Sequence, residues 1–195
     1  MAIKKIMANK INSLTDARYF AAWNVDYLGF DLDVVLQNLE LLNSYREIIE
    51  WLVGPKFLGS TSRLHIGQEI IDIINSLNLD ALIVNEFVEK NLSLEIEYFT
   101  QINTPEEAAT GNIINNFLIA DASELSKFIS VNQHNSCNIF VDLNQCNLSL
   151  EKVLNSDIAG VVLHGGLEEK VGLMDFDQLD HYLEKISEYN ELCDA

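Results

Sequence analysis

The sequence predicts an α/β protein that folds as a small (β/α)8 barrel, or TIM barrel, in one domain over residues 1–195. Short apolar runs recur along the chain. Several of them, such as ALIV, FLIA and GVVL, are continuously apolar, as in strands buried on both faces. The runs alternate with amphipathic stretches about eight times, and no Gly/Ser-rich linker divides the chain. An open, doubly wound sheet is the structural alternative, because periodicity alone does not distinguish the two topologies.

Composition and charge restrict the class of protein and its partners. Apolar residues make up 48% of the chain, which is enough to offset the ordering entropy and excludes a disordered acidic tail. With 12 Lys+Arg against 30 Asp+Glu, the formal net charge is −18. That charge argues against nucleic acid and anionic membrane surfaces as partners, because both require a cationic face.

Cysteine content and hydropathy indicate the compartment. Three cysteines are too few and too scattered for a disulfide framework or a CxxC metal site. The first ten residues lack the apolar region of a signal peptide, and no run approaches the roughly 18–20 apolar residues of a membrane span. We therefore expect a cytoplasmic protein with reduced thiols, either a monomer or a homodimer.

The apolar runs predict eight strands. They are Ile3–Ala8, Tyr27–Asp31, Trp51–Phe57, Ala81–Asn85, Leu94–Gln101, Asn116–Ala120, Asn138–Asp142 and Gly160–Leu163.

Four long amphipathic stretches predict helices. Ser13, with Asp16 three residues later, is typical of a capping box and predicts a helix from Leu14 to Trp23. Apolar residues at three- and four-residue spacing predict the other three helices over 34–49, 64–77 and 175–189. The connections after strands four to seven leave room for only a turn or two of helix each, over 87–91, 104–109, 124–130 and 150–154.

Motifs at the two ends of the chain resemble those of one enzyme family. The opening KIMANKINSLTDARYFAAWNVDYLGF is similar to K-x-C-G-I-T-x-x-x-D-A followed by an alanine-rich helix and G-A-D-x-x-G-F. The closing GVVLHGGLEEKVGLMDFDQLDHYLEKI is similar to G-V-D-V-S-S-G-V-E, then P-G-x-K-D and a helix. These are motifs of the phosphoribosylanthranilate isomerases, barrel enzymes of tryptophan biosynthesis. A weaker similarity lies in SLNLDALIVNE, so the resemblance runs the whole length in order.

The resemblance implies an Amadori rearrangement of a phosphoribosylamine without a cofactor. In that family a cysteine at the end of the first strand acts as base and an aspartate at the end of the sixth as acid. Glycine-rich turns after strands seven and eight hold the phosphate. Two groups of different basicity on opposite sides of the substrate suit this reaction, because one proton is delivered to the ring oxygen and another is removed from carbon two.

The resemblance implies that only half of this catalytic set is retained. Asn9 stands where the family has the cysteine base, and Lys10 replaces the glycine after it. An amide is not a useful proton acceptor near neutral pH, so Asn9 is not a general base. Asp121, which follows FLIA, matches the acid.

The phosphate-binding segments also depart from the family pattern. In the last strand Val162 replaces an aspartate, and His164 and Gly165 replace a serine pair. Gly166 and Glu168 match the G-V-E pattern, so these two residues, with Gly165 and Lys10, are the candidate ligand-binding residues. Asp142-Leu143-Asn144 replaces the glycine pair expected after strand seven, and FDLDVVLQN lacks the arginine expected after strand two.

Carboxylates dominate the predicted mouth of the barrel. We expect Asp31, Asp33, Glu86, Asp121 and Asp142 at the strand ends, against the positive groups Lys10, Lys56 and a titratable His164. An unpaired like charge about 5 Å from an anionic substrate costs a few kcal/mol at a protein surface. The charge therefore disfavours the family's doubly anionic substrate.

Each candidate residue has a structural alternative. Asp121 caps the following helix in one interpretation and acts as general acid in the other. His164 is either a rim residue or a replacement base that faces Asp121, and Gly165-Gly166 is either a turn or an anion cradle. A divalent cation could be held by the acids, but no D-x-D-x-D-G spacing is present and a solvated acidic rim is favoured. Cys146 is expected to be inert, because a nearby carboxylate disfavours the thiolate.

Two hypotheses about function follow. In the first, the chain is a divergent barrel of this family that has lost catalysis through the missing base and glycines, and it acts by binding. In the second, it is an active isomerase of phosphoribosylanthranilate or a related sugar amine, with Asp121 as general acid and another base such as His164. A small sugar phosphate or sugar amine is the ligand that both hypotheses allow.

Overall fold

Eight parallel strands form the centre of the protein in the computed structural model. The structure describes residues 3–85, 94–102, 104–106, 116–119, 125–135, 138–165, 167–170 and 173–194. The strands are Lys5–Asn9 (β1), Tyr27–Asp31 (β2), Lys56–Ser60 (β3), Ala81–Asn85 (β4), Glu97–Ile102 (β5), Asn116–Ile119 (β6), Asn138–Asp142 (β7) and Gly160–His164 (β8).

The strands close into a barrel. Each strand pairs in parallel with the next, and β1 also pairs with β8, with Lys5 opposite Gly160 and Asn9 opposite His164. The predicted (β/α)8 barrel is therefore confirmed, and the open doubly wound sheet is excluded. All eight strands end at one face of the barrel, where enzymes of this fold place their functional residues.

A small apolar cluster fills the inside of the barrel. It consists of Met7, Tyr27, Leu58, Ala81, Ile83, Phe99, Phe140 and Val162. Gly160 provides the space that this cluster needs, because a Cβ atom there would lie 2.6 Å from the Phe140 ring and 2.5 Å from the Lys5 carbonyl oxygen. The interior is thus a packed core below the mouth, as expected for a barrel of eight strands.

Polar residues close the opposite, amino-terminal end of the barrel. The Tyr27 hydroxyl donates to Glu97 Oε2 at 2.9 Å, and Lys56 Nζ lies 3.4 Å from the same oxygen. Lys56 is the first residue of β3, so the expectation that its charge lies at the mouth is wrong. The predicted third strand began too early because the preceding helix continues through Trp51.

Helices surround the barrel. Their bounds are Leu14–Ala22 (α1), Leu32–Gln37 (α2), Glu40–Trp51 (α3), Gln68–Leu77 (α4), Leu125–Asn135 (α5), Leu150–Leu154 (α6) and Asp177–Asp194 (α7). The capping interaction predicted for α1 is present, with the Asp16 N–H donating to Ser13 Oγ at 3.1 Å. No described helix is long and apolar enough to cross a membrane.

The helices differ from their predicted bounds at several places: α4 begins at Gln68 and not at residue 64, and α7 ends at Asp194 and not at residue 189. The helix predicted over 34–49 is divided into α2 and α3 at Asn38, whose backbone is extended and whose side chain accepts the Glu40 N–H at 3.1 Å. Such a side chain competes with the helical backbone, and apolar spacing does not report it. The helix after β6 has 11 residues and exceeds the one or two turns predicted there. The short helix predicted over 150–154 is found as α6.

The segment between β8 and α7 contains an antiparallel hairpin that the sequence analysis missed. Its strands are Leu167–Lys170 (β9) and Leu173–Asp175 (β10). The hairpin follows directly on the carboxyl end of β8, so it lies at the same end of the barrel as the candidate site.

The last helix, α7, packs against the amino-terminal part of the chain. Asn190 of α7 accepts the Lys4 N–H at 2.8 Å and donates to the Lys4 carbonyl oxygen at 3.0 Å. At its other end, Phe176 stacks on Tyr19 with ring centroids 4.1 Å apart, and Asp180 accepts the Tyr19 hydroxyl at 2.6 Å. These contacts hold α7 against β1 and α1.

Candidate functional site

The carboxyl ends of the strands surround a cavity of about 170 Å³. Its lining residues are mostly polar and come from β1, β2, β3, β4, β5, β7, β8 and the loops that follow some of these strands: Asn9, Lys10, Asp31, Asp33, Ser60, Thr61, Ser62, Ile83, Gln101, Asp142, Val162 and His164. We refer to this space as the mouth cavity. It brings together Asn9, Lys10 and His164, three of the site residues predicted from sequence.

Asp142 and His164 form a close pair in the mouth cavity. His164 Nε2 lies 3.0 Å from Asp142 Oδ2, and the two side chains are only 14% and 13% exposed. The other carboxylate oxygen, Oδ1, accepts the Asn144 N–H at 3.0 Å at the start of a 3₁₀ turn over Leu143–Gln145. The carboxylate is therefore held from both sides. The sequence predicts both residues at strand ends but does not predict that they pair.

Asn9 and Lys10 form the end of β1 and the turn after it. The Asn9 side chain is buried, and its Oδ1 accepts the Lys10 N–H at 2.8 Å. Lys10 has a positive φ of 56°, a conformation that favours glycine. The resemblance implies glycine at this position. In this chain lysine occupies it, and the Lys10 N–H donates to Asn9 Oδ1 within the same turn.

Two aspartates of the mouth organise the loops after β2 and β3. Asp31 caps α2, since its Oδ1 accepts the Asp33 N–H at 2.9 Å. Asp33 accepts the Thr61 hydroxyl at 2.7 Å, and the Ser62 hydroxyl and N–H at 2.6 and 2.8 Å. Burial opposes ionisation of Asp33, but the hydrogen bonds from Ser62 and Thr61 outweigh it and hold the pKa of this carboxyl below its usual value.

Arg63 adds a positive charge that the sequence analysis missed. Its Nε lies 3.6 Å from Asp33 Oδ1, and its Nη1 lies 3.3 Å from Glu69 Oε1. The residue follows β3 immediately beyond Ser62, so its position at the rim could have been inferred once the strand end was known. Arg63 partly offsets the charge of Asp33, and the mouth is less acidic than predicted.

A second cavity of about 580 Å³ adjoins the mouth cavity. Lys10 and His164 line both spaces. The remaining walls of this outer cavity are Asn12, Leu143, Asn144, Cys146, Gly165, Gln178, Leu179 and Tyr182. No carboxylate occurs among these described lining residues, although the chain has 30 Asp and Glu. The described walls of the outer cavity therefore carry fewer negative groups than those of the mouth cavity, which include Asp31, Asp33 and Asp142.

Gly165 lies where β8, β1 and α1 meet. Its N–H donates to the Asn9 carbonyl oxygen at 3.1 Å. A Cβ atom at this position would lie 3.2 Å from both the Lys10 carbonyl oxygen and Oδ2 of the buried Asp16. The absence of a side chain here permits the close approach of the last strand to the turn after the first.

Several predicted site residues are not placed by the structure. Asp121, Gly166 and Glu86 lie outside the described residues. Glu168 lies on the described backbone of β9.

Cys146 lines the outer cavity, where its Sγ accepts the Leu148 N–H at 3.4 Å. Within the described ranges, no group of three or more His, Cys, Asp or Glu residues is arranged to hold a metal ion.

Comparisons with known proteins find similarity to this chain in structure alone. No family model and no curated protein sequence matches the chain. Among solved structures, phosphoribosyl anthranilate isomerase from Thermus thermophilus superposes with a TM-score of 0.69 at 14% identity, covering 94% of this chain and 98% of that one. A phosphoribosyl anthranilate isomerase in complex with reduced 1-(o-carboxyphenylamino)-1-deoxyribulose 5-phosphate gives 0.67 at 15% identity, covering 95% and 100%.

A different enzyme is nearly as similar. KGPDC from Streptococcus mutans has a TM-score of 0.65 at 11% identity and covers 97% of this chain and 98% of that chain. The structure thus resembles phosphoribosylanthranilate isomerases over almost its whole length, as the sequence motifs predict. At these identities the similarity shows the barrel fold, and that fold supports more than one chemistry.

Proposed function

We propose that the chain is a divergent barrel of the phosphoribosylanthranilate isomerase family that binds a small sugar phosphate but does not catalyse the family's rearrangement. The observation that carries this proposal is the position of Asn9. It is the last residue of β1 and lines the mouth cavity, where the resemblance implies a cysteine base. The fold and the motif order support the family, and the residues at the strand ends support the change in function.

Asn9 does not replace the missing base. A carboxamide has no basic lone pair near neutral pH, and the Asn9 oxygen already accepts the Lys10 N–H. General-base catalysis typically contributes 10²- to 10⁴-fold to a rate, so its loss at this position is large enough to abolish useful turnover.

The mouth cavity suits a hydroxyl-rich or amine-bearing group. Asp31 and Asp142 contribute acceptors, and Ser60, Thr61 and Gln101 contribute groups that both donate and accept. Sugars are recognised by polar side chains of this kind, because each hydroxyl needs a donor or an acceptor once it is removed from water. A sugar amine would fit the same cavity, since carboxylates also favour a cationic amine.

The outer cavity suits an anionic group on the same ligand. Lys10 supplies a positive charge, and Asn12, Asn144 and Gln178 carry amide N–H donors. Lys10 and His164 also line the mouth cavity, so one small molecule could contact both spaces. A sugar in the mouth cavity with its phosphate in the outer cavity satisfies both sets of residues.

Calorimetric titration with ribose 5-phosphate tests the proposal. We expect this probe to bind, and D-ribose and inorganic phosphate alone to bind at least tenfold more weakly, because each occupies one cavity only. Lys10→Met should weaken ribose 5-phosphate binding at least tenfold. Lys152→Met is the matched control, because Lys152 is an exposed lysine of α6 outside both cavities. Equal affinities for the two variants, or no binding by the wild type, would contradict the proposal.

A second candidate function is an active sugar-amine isomerase. Its general acid would be Asp121 and its base His164, and the observation that favours it is an imidazole held in the mouth cavity by Asp142. Turnover of phosphoribosylanthranilate that is lost in both Asp121→Ala and His164→Gln would establish this function in place of the first.

A further inference from the structure

Asn9 presents hydrogen-bond donors to the mouth cavity. The residue is only 6% exposed, and its Oδ1 accepts the Lys10 N–H at 2.8 Å. A Cβ atom on Gly29 of β2 would lie 2.6 Å from the same oxygen, so β2 and the turn at Lys10 enclose the oxygen edge of the amide. Within the described residues the nitrogen, Nδ2, has no hydrogen-bond partner, although Asn9 lines the cavity. The two N–H donors of this buried amide are therefore left for a ligand.

Asp31 presents an acceptor on the neighbouring strand. Its Oδ1 accepts the Asp33 N–H at 2.9 Å at the start of α2, whereas its Oδ2 has no hydrogen-bond partner in the described part of the chain. The register of β1 and β2 brings Asn9 level with Gly29. Asp31 lies two residues beyond Gly29, on the face of β2 that also carries Tyr27 of the interior cluster. Asn9 Nδ2 and Asp31 Oδ2 thus belong to adjoining parts of one cavity wall.

The charge of Asp31 is not offset by the protein. Asp33 lies 3.6 Å from Arg63 Nε, and Asp142 Oδ2 lies 3.0 Å from His164 Nε2. Asp31 is the one lining carboxylate without a basic side chain within ion-pair distance, among the residues that the structure describes. A carboxylate in a partly enclosed cavity attracts a cationic ligand group more strongly when no other positive group already lies beside it.

An alkyl ammonium group matches this part of the wall. It is positively charged and is a donor only, so it complements Asp31 Oδ2 in both charge and hydrogen bonding. A hydroxyl group can donate to the same oxygen but lacks the charge. An arylamine nitrogen, such as that of phosphoribosylanthranilate, is neutral near pH 7 and gains no charge interaction. The wall therefore distinguishes an amino sugar from a plain sugar and from the arylamine substrate of the family.

We propose that the mouth cavity is selective for an amino sugar phosphate. The ammonium group binds Asp31 Oδ2, a hydroxyl oxygen of the sugar accepts from Asn9 Nδ2, and the phosphate lies in the outer cavity beside Lys10. This inference rests on the two-cavity binding mode given under the proposed function, and it adds the ligand group that determines specificity. Asn9, in the position of the family's base, is a binding residue in this site.

Calorimetric titration with two matched hexose phosphates tests the proposal. Glucosamine 6-phosphate and glucose 6-phosphate differ only in the amine or hydroxyl group on carbon two. At pH 6.5, where the amine is protonated, we expect the wild type to bind glucosamine 6-phosphate at least tenfold more tightly. At pH 9.5 the amine is neutral, and the preference should fall below threefold. A preference that is absent at pH 6.5, or that is equally large at both pH values, would overturn the proposal.

A variant of Asp31 tests the role of its charge. Asp31→Asn keeps an acceptor for the Asp33 N–H and so keeps the cap of α2, but it removes the negative charge. The affinity for glucosamine 6-phosphate at pH 6.5 should fall at least tenfold, and its preference over glucose 6-phosphate should fall below threefold. Asp72→Asn is the matched control, because Asp72 is an exposed aspartate of α4 outside both cavities. Full preference in Asp31→Asn, or equal losses in both variants, would overturn the assignment.

A variant of Asn9 tests the role of its amide. Both hexose phosphates carry the hydroxyl groups that Asn9 Nδ2 can bind. Asn9→Ala should therefore weaken both at least threefold and leave the ratio of their affinities unchanged. Unchanged affinities, or a loss confined to glucosamine 6-phosphate, would overturn the binding role of Asn9.

Ribose 5-phosphate, titrated into the same samples, distinguishes this inference from the proposed function. Binding of ribose 5-phosphate together with equal affinities for the two hexose phosphates, or with no binding of either, would overturn the selectivity and leave the proposed ligand class in place. Absence of binding by all three phosphates would overturn both.

Discussion

Asn9 and His164 lie opposite each other on the strands that close the barrel, and the Gly165 N–H donates to the Asn9 carbonyl oxygen at 3.1 Å. Residues from the first and the last strand therefore share one wall of the mouth cavity. The same contact places the turn at Lys10 beside the His164 imidazole. The first and the last barrel strand therefore together supply the amide, ammonium and imidazole groups of the mouth cavity. Closure of the barrel is thus a condition for the site as well as for the fold.

Gly160→Ala should destabilise the protein strongly. The new methyl group would lie 2.5 Å from the Lys5 carbonyl oxygen and 2.6 Å from the Phe140 ring, so a strand or an aromatic ring must move. We expect a loss of about 3 kcal/mol in the free energy of unfolding, measured by urea denaturation. At Gly165 the nearest atoms are 3.2 Å away. Gly165→Ala should cost only about 1 kcal/mol, and equal costs for the two variants would refute this account of the packing.

Asn190→Ala should loosen the amino-terminal end of β1. The substitution removes two hydrogen bonds to the backbone of Lys4, one to its N–H and one to its carbonyl oxygen. A loss of about 2 kcal/mol in the free energy of unfolding is expected, because both backbone groups then depend on water. Amide hydrogen exchange at Lys4 should accelerate more than exchange at Ala8 in the middle of the barrel. Uniform acceleration along β1 would show instead that α7 stabilises the strand as a whole.

Asp33→Asn should make the protein less stable at neutral pH but not in acid. The folded-state pKa of Asp33 lies below its unfolded value. The ionised Asp33 carboxylate therefore contributes fully to the free energy of unfolding above the unfolded pKa of about 4. That contribution disappears as the pH falls through the lower, folded-state pKa. We expect the variant to lose about 2 kcal/mol at pH 7, and the difference from wild type to shrink steadily below pH 4.

Urea denaturation of both proteins at pH 7, 4 and 3 measures this effect. A difference that is the same at all three values would mean that the substitution of Asp33 is destabilising for steric reasons, and that the charge on its carboxylate contributes nothing.

Tyr27→Phe should lower stability at neutral pH by about 1 kcal/mol, because the phenol no longer donates to Glu97. Burial first, and then the neighbouring Glu97 carboxylate, raise the pKa of Tyr27 above its usual value. Because the folded-state pKa is raised, the protonated Tyr27 hydroxyl contributes fully to the free energy of unfolding below the unfolded pKa of about 10. This contribution is lost as the pH rises through the folded-state pKa. The ultraviolet titration of tyrosinate should therefore contain one fewer late-titrating group in the variant.

The fold was largely predictable because strands that are buried on both faces consist of continuous runs of apolar residues, which the sequence shows directly. β2, β4 and β7 begin and end at the predicted residues, since continuous apolar runs bounded by polar residues define them. Asn38 and Trp51 show where periodicity is insufficient. The break at Asn38 depends on a side-chain hydrogen bond. The last residue of α3, Trp51, is 74% exposed, so an apolar residue there does not mark the start of a buried strand.

The candidate site was predictable in its location but not in its contacts. Asn9, Lys10, His164 and Asp142 follow buried strands, so their presence at one face follows from the barrel alone. The close approach of His164 Nε2 to Asp142 Oδ2 depends on the register of β7 and β8 and on the Asn144 turn, which no sequence spacing encodes. Lys56 was misplaced because the predicted third strand starts at Trp51 and the observed one at Lys56, and such an error moves a side chain to the opposite end of a barrel.

The central claim is tested most directly by the turnover of phosphoribosylanthranilate, generated in situ and followed by loss of anthranilate fluorescence. The measurement uses wild-type protein whose binding of ribose 5-phosphate has been verified, with Asp121→Ala beside it. We predict no turnover above the no-enzyme control, because Asn9 stands in place of the base. Turnover by the wild type that Asp121→Ala abolishes would contradict the account and establish an active isomerase.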